Sequence, residues 1–209
     1  MQKSTMSGVI LLLAAAAVEA STVAPLNLKE LSTLARRVVI GRVERLTSYQ
    51  DASSGRILSR VQIAETHWVE GSSPVSSLSF EMTGGTFGGR RQWISGFPSL
   101  EVGDRVVLFL ADETSTPLGP TVGLWQGVFF IEPDADGGRD TIADHRRRPL
   151  AAIRGEQLVA VEATADTSAR SATRPVVAAP APRLSLDEFI TRVSAWRAAG
   201  RRDTTPRKQ

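Results

Sequence analysis

Hydrophobic residues follow three different spacings along this chain, and each spacing predicts a different kind of element. The first is an unbroken apolar run, Gly8 to Val18, preceded by Lys3 and closed by Val18-Glu19-Ala20. A positive start, a short apolar stretch and small residues at the cleavage positions predict an export signal over residues 1–20. The run is shorter than the ~20 apolar residues of a membrane-spanning helix. Cleavage before Ser21 is therefore expected, which gives a secreted or periplasmic protein with no transmembrane anchor. No Cys follows the run, which argues against a lipid anchor.

The second spacing is that of strands. Asn27-Leu28-Lys29-Glu30 first opens a short helix, with Asn27 as N-cap and Glu30 placed to complete a capping box. Arg37 to Glu44 is then β-branched and interrupted by Gly41, a pattern that predicts a strand with a bulge or bend. Beyond the polar turn Gln50 to Gly55, Ile57 to Val69 reads as a second long strand. Leu78 to Thr83 alternates with its apolar residues on even positions, and Arg105 to Ala111 is a continuous apolar run expected to be buried on both faces. Thr121 to Trp125 and Val128 to Ile131 predict a strand kinked at Gln126-Gly127, with Arg139 to Ile142 as its hairpin partner across the Asp-Gly turn. Strands at such short spacing, without helices between them, predict a mainly β fold. The expected architecture is an antiparallel five- to six-stranded barrel or sandwich over residues 21–143.

The third spacing is helical. Residues 144–183 are dominated by Ala, Arg, Pro, Thr and Ser and predict a low-complexity linker, with one short ordered segment allowed around Gln157 to Val161. Ser185-Leu186-Asp187-Glu188 is then an S-x-x-E capping box. Leu186, Phe189, Ile190, Val193 and Trp196 form one stripe, and Gly200 stands where a C-terminal cap belongs. An amphipathic helix is expected within 184–200, followed by a basic tail at 201–209. With Phe189 and Trp196 on its stripe, the helix should dock on the β domain or on a partner.

Charge divides the chain at the same boundary. Residues 21–143 hold 11 basic and 14 acidic residues, a net of −3, whereas residues 144–209 hold 13 and 7, a net of +6. The chain has no Cys, which excludes thiolate catalysis, thiolate-bound zinc and iron–sulfur clusters. The two histidines, His67 and His145, lie in separate segments without local metal-ligand spacing, so no metal is expected. No G-x-S-x-G elbow is present, and Ser95 lacks the first glycine of one. Asp134, Asp136 and Asp140 fail the calcium-loop pattern, with Arg139 where its glycine would be. The glycine-rich stretch Gly84 to Arg90 has no Lys-Ser/Thr ending and opens no helix, so no nucleotide cofactor is expected. It reads instead as a hairpin connection. Phe87, Arg90, Arg91, Trp93 and Phe97 cluster around it and form a candidate interaction loop. The competing expectation is that Trp93 and Ile94 fold inward. Arg146-Arg147-Arg148, Arg154 and the tail arginines could meet an anionic surface. No aromatic residues interleave them, so nucleic acid is not an expected partner.

The order of elements, with Val38-Val39-Ile40-Gly41-Arg42-Val43, Glu70-Gly71, Gly103-Asp104 and Trp125-Gln126-Gly127-Val128-Phe129, resembles a group of uncharacterised secreted bacterial proteins. In strand order it is also similar to the OB-type barrel of netrin and tissue-metalloprotease-inhibitor modules. That resemblance implies an OB-like barrel fold. The inhibitors chelate a protease zinc through an N-terminal Cys, which this chain lacks. The expected function is an exported, non-catalytic module that binds a protein or an anionic cell-envelope polymer. The alternatives are a protease or hydrolase inhibitor and an enzyme with an unrecognised site.

Overall fold

Asn27 begins the first helix, α1 (Leu28–Leu34), as its sequence predicts. The Asn27 side chain accepts from the Glu30 N–H, and Glu30 returns a bond to the Asn27 N–H. A computed structural model describes residues 23–69, 77–111, 118–134, 136–161 and 182–203. The predicted export signal, most of the predicted linker and residues 204–209 lie outside them.

The predicted strands are β1 (Arg37–Gln50), β2 (Ile57–Trp68), β3 (Ser77–Thr83), β6 (Arg105–Leu110), β7 (Val128–Pro133) and β8 (Asp140–Ala143). They form one six-stranded antiparallel sheet in the order β3-β2-β1-β6-β7-β8. β1 pairs with β2 along nearly its whole length, but with β6 only from Arg37 to Arg42. Register shifts between Ile40 and Arg42 and between Val43 and Arg45 bend it, the first of them at Gly41 as expected.

The sheet is apolar on both faces. On one, Val38, Val107, Phe109, Phe129, Ile131 and Ile142 pack under the helices. On the other, Val39, Val43, Val61, Ile63, Leu108 and Phe130 pack with half-buried Leu78, Phe80 and Met82 of the edge strand β3. Contact between strands that are not neighbours in the sheet means that it curls.

The expected barrel does not close among the described residues. β8 is flanked instead by the chain leading into the last helix, with the Ile142 N–H donating to the Leu184 carbonyl at 3.0 Å and Thr141 bridging Ser185. The end of β3 is taken by a bond from the Thr83 N–H to the Leu118 carbonyl, 3.3 Å.

Three further expectations change. Thr121 to Trp125 is not strand: it leads through Gly123 and Leu124, both with left-handed φ (61° and 62°), into a 3₁₀ turn at Leu124–Gly127. There Gln126 turns its side chain to the incoming chain, accepting from the Leu26 N–H at 2.7 Å and donating to the Ala24 carbonyl at 3.0 Å. The start of the predicted linker is a hairpin, β9 (Leu150–Arg154) and β10 (Gln157–Ala160). Leu150, Ile153 and Leu158 join the helix-side core, and Glu156 in its turn pairs with Lys29 of α1 at 2.7 Å. The last helix, α2 (Leu186–Asp203), passes through Gly200 rather than ending there.

α2 docks on the sheet as its stripe predicts. Phe189 and Val193 are fully buried, and Phe189 lies 5.1 Å from Phe129 and 6.2 Å from Phe109, centroid to centroid. Ser185 accepts from the Glu188 N–H at 3.2 Å. Arg197 donates to the carbonyls of Ser32, Ala35 and Arg36. A cation thereby satisfies carbonyl groups left open where α1 ends.

Candidate functional site

Thr83 ends β3, and the chain turns through Gly84 and Gly85, both at positive φ, into a small hairpin, β4 (Gly85–Phe87) and β5 (Arg90–Gln92). Its turn is Gly88-Gly89, with φ of 56° and 74°. A two-residue loop with both residues left-handed matches the twist of a hairpin, and glycine adopts it without steric cost. The predicted glycine-rich connection is thus a defined hairpin.

The hairpin is fixed at its base. The Ile57 N–H donates to Gln92 Oε1 and the Gly84 N–H to the Ile57 carbonyl, each at 2.8 Å. Ser59 Oγ donates to the Gly84 carbonyl at 2.7 Å, and Ser48 Oγ lies 2.8 Å from Ser59 Oγ. A Cβ on Gly85 would stand 2.4 Å from both serine oxygens, so only glycine allows this approach.

Beneath the hairpin lies a pocket of about 270 Å³. Ser48, Ser59 and Leu46 come from the β1–β2 pair, Met82 from β3, Arg91 and Trp93 from the hairpin side, and Phe97 from the segment that follows. Phe97 packs edge-on against Trp125 at 5.7 Å.

The five residues singled out from sequence divide in two. Arg91, Trp93 and Phe97 line the pocket, whereas Phe87 and Arg90, a cross-strand pair near the tip, do not. Trp93 is 64% exposed and Phe87 45%, so Trp93 does not fold inward. Pro98 and Leu100, further along the same segment, are the residues that are buried. Neither the Arg90 nor the Arg91 side chain has an ion pair or hydrogen bond among the described residues.

The basic cluster at 146–148 is used largely within the fold. Asp144 Oδ1 accepts the N–H groups of Arg146 and Arg148, each at 2.9 Å, and Oδ2 accepts Arg148 Nε at 2.8 Å. Arg147, at a left-handed φ of 59°, donates to Asp104 at 2.7 Å and lies 3.8 Å over the Phe130 ring. Among the described residues, Arg146 makes no side-chain contact of this kind.

His145 faces Trp125 at 6.4 Å, and its Nε2 is buried without a hydrogen-bond partner among the described residues. Burial pushes its pKa below the ordinary 6.5, and Arg146 and Arg148 push the same way against Asp144. Asp140 is engaged bidentately by Arg105 at 2.6 and 2.7 Å, and Asp134 is engaged by Arg139 at 3.3 Å. Among the described residues no three His, Asp or Glu side chains converge as a metal site would require.

On the outer face of the β1–β2 pair, Tyr49 Oη and Arg60 both donate to Glu81 Oε1, at 2.7 and 2.8 Å. These bonds hold the Glu81 carboxyl below its ordinary value.

Sequence reasoning missed the pocket's floor. Ser48 and Ser59 lie eleven positions apart, but the 51–56 turn places them opposite each other. The signal available was that turn, because pairing Gln50 with Ile57 fixes every later pair.

The site belongs to a mainly β protein with an exposed aromatic and cationic hairpin beside a pocket. No family model, curated protein or solved structure matches the chain.

Proposed function

We propose that this protein is an exported, non-catalytic binding module that recognises a protein or cell-envelope polymer through the β4–β5 hairpin. The observation that carries the reading is the pairing of exposed Phe87 and Trp93 with Arg90 and Arg91, whose guanidinium groups have no bonding partner among the described residues. Aromatic and Arg side chains are the residues that most often anchor interfaces. Here they sit on a frame fixed by Gln92, Ser59 and Gly85. Such fixing lowers the entropy cost of binding.

The export part of the reading rests on Lys3, the Gly8–Val18 run and Val18-Glu19-Ala20. The finer fold assignment is an OB-type barrel left open. Two features support it: the β3-β2-β1 meander, and a bent β1 shared by β2 and β6.

The test is binding of purified residues 21–209 to isolated cell envelope, comparing the native chain with Phe87→Ala/Arg90→Ala and Arg91→Ala/Trp93→Ala. The reading expects native melting with reduced binding in both. Undiminished binding in both variants would refute it.

A further inference from the structure

We infer that the pocket beneath the hairpin binds a hydroxylated carboxylate, the chemistry of a uronic acid residue in an acidic polysaccharide; this rests on the hairpin being the binding surface. Three features of the pocket define the ligand: the polarity of its floor, the charge at its mouth and the character of its walls.

The floor accepts hydrogen bonds. A serine hydroxyl has one proton and two lone pairs. Ser59 gives its proton to the Gly84 carbonyl. In the 2.8 Å contact between the two hydroxyls Ser48 must therefore be the donor. Both protons are spent inside the protein, and the oxygens present only lone pairs. A ligand reaching this floor needs donors, as a hydroxyl supplies.

The mouth donates and is cationic. Arg91 is exposed and lacks a partner among the described residues, so its fork is open to a bidentate acceptor. Gln92 accepts from the Ile57 N–H through Oε1, which fixes the amide orientation and leaves its NH₂ as a second donor at the pocket. Among the described residues no Asp or Glu lines the pocket. A carboxylate there meets the Arg91 charge, with no carboxylate of the described residues to compete.

Between floor and mouth the walls are apolar or aromatic: Leu46, Met82, Phe97 and the exposed ring of Trp93. They suit a body with an apolar face. A pyranose ring with a carboxylate at one end and hydroxyl groups across the ring has this layout of acceptor, apolar face and donors. A string of acidic amino acids supplies the charge and backbone N–H donors, but no apolar ring face to lie against Met82, Phe97 and Trp93.

The test is an NMR titration of the intact folded chain with three probes: trigalacturonate, neutral maltotriose and triglutamate. Trigalacturonate should shift the amides of Thr86, Arg91 and Gln92 and the indole N–H of Trp93. Its binding should weaken as salt rises, because the ion pair is exposed. Arg91→Ala should lower affinity about tenfold or more, with Arg91→Lys between the two, since a lysine keeps the charge but loses the fork. Ser48→Ala should also lower affinity, and its melting temperature reports that the fold is intact. Equal binding of maltotriose, or an unchanged affinity in Arg91→Ala, overturns the carboxylate while leaving the hairpin as the binding surface. Equal binding of triglutamate overturns the saccharide. If no probe shifts the pocket resonances the inference fails. The envelope-binding comparison of the hairpin variants then decides separately whether the binding surface fails with it.

Discussion

At the residue scale, the core is decided by shape and the site by unspent hydrogen-bonding capacity. Phe109 is fully buried and packs edge-on against both Phe129 and Phe189. Phe109→Ala should cost about 3–5 kcal/mol in denaturant unfolding, because it removes a ring and leaves a cavity between sheet and helix. His145 gives the fold a pH dependence whose sign follows from its surroundings. Its folded pKa lies below the ordinary 6.5, so just below that pH the unfolded chain binds the proton and the folded chain resists it. Stability therefore falls as pH falls through 6.5. The melting temperature of His145→Gln should decline less over that window than that of the native protein; parallel curves would mean that the imidazole is not held dry.

At the element scale, α2 stabilises the sheet from outside it. Phe189 and Val193 fill the face that Phe109 and Phe129 leave open, and Arg197 closes the end of α1. Arg197→Met should lose about 1.5–3 kcal/mol, the value of charge-assisted hydrogen bonds, as read by chemical denaturation. Much of this was legible beforehand. Asn27 with Glu30, the stripe of α2, Gly41 in β1 and the doubly buried β6 each follow from a local pattern, and each occurs as the pattern predicts. The misses have a common physical cause, because they depend on partners distant in sequence. Leu150, Ile153 and Leu158 look too sparse to order a hairpin until the α1 side of the core is there to receive them. Gly200 reads as a helix stop because glycine favours the C-terminal cap, yet α2 continues to Asp203 with Gly200 lying beside Thr33 of α1. Of the candidate site, the hairpin residues were visible as a cluster of aromatics and arginines. The pocket was not, since Ser48, Ser59 and Met82 reach it only through the pairing of β1, β2 and β3.

At the scale of the whole molecule, the six strands make a curled sheet with helices on one face and the hairpin and its pocket at one end of the other. The neighbouring chain segments beside β8 and at the end of β3 stand where a closed barrel would need further strand pairing. On the export reading, N-terminal sequencing of secreted material should begin at Ser21 or within a couple of residues of it, and a purely cytoplasmic form retaining Met1 would count against that reading. The central claim is that binding runs through the hairpin, and its most direct measurement is the affinity of the folded chain for isolated cell envelope with and without the Arg91 and Trp93 side chains. The account predicts that Arg91→Ala/Trp93→Ala melts like the native protein and loses most of the binding. An envelope affinity equal to that of the native chain, from a variant with native melting, would contradict it.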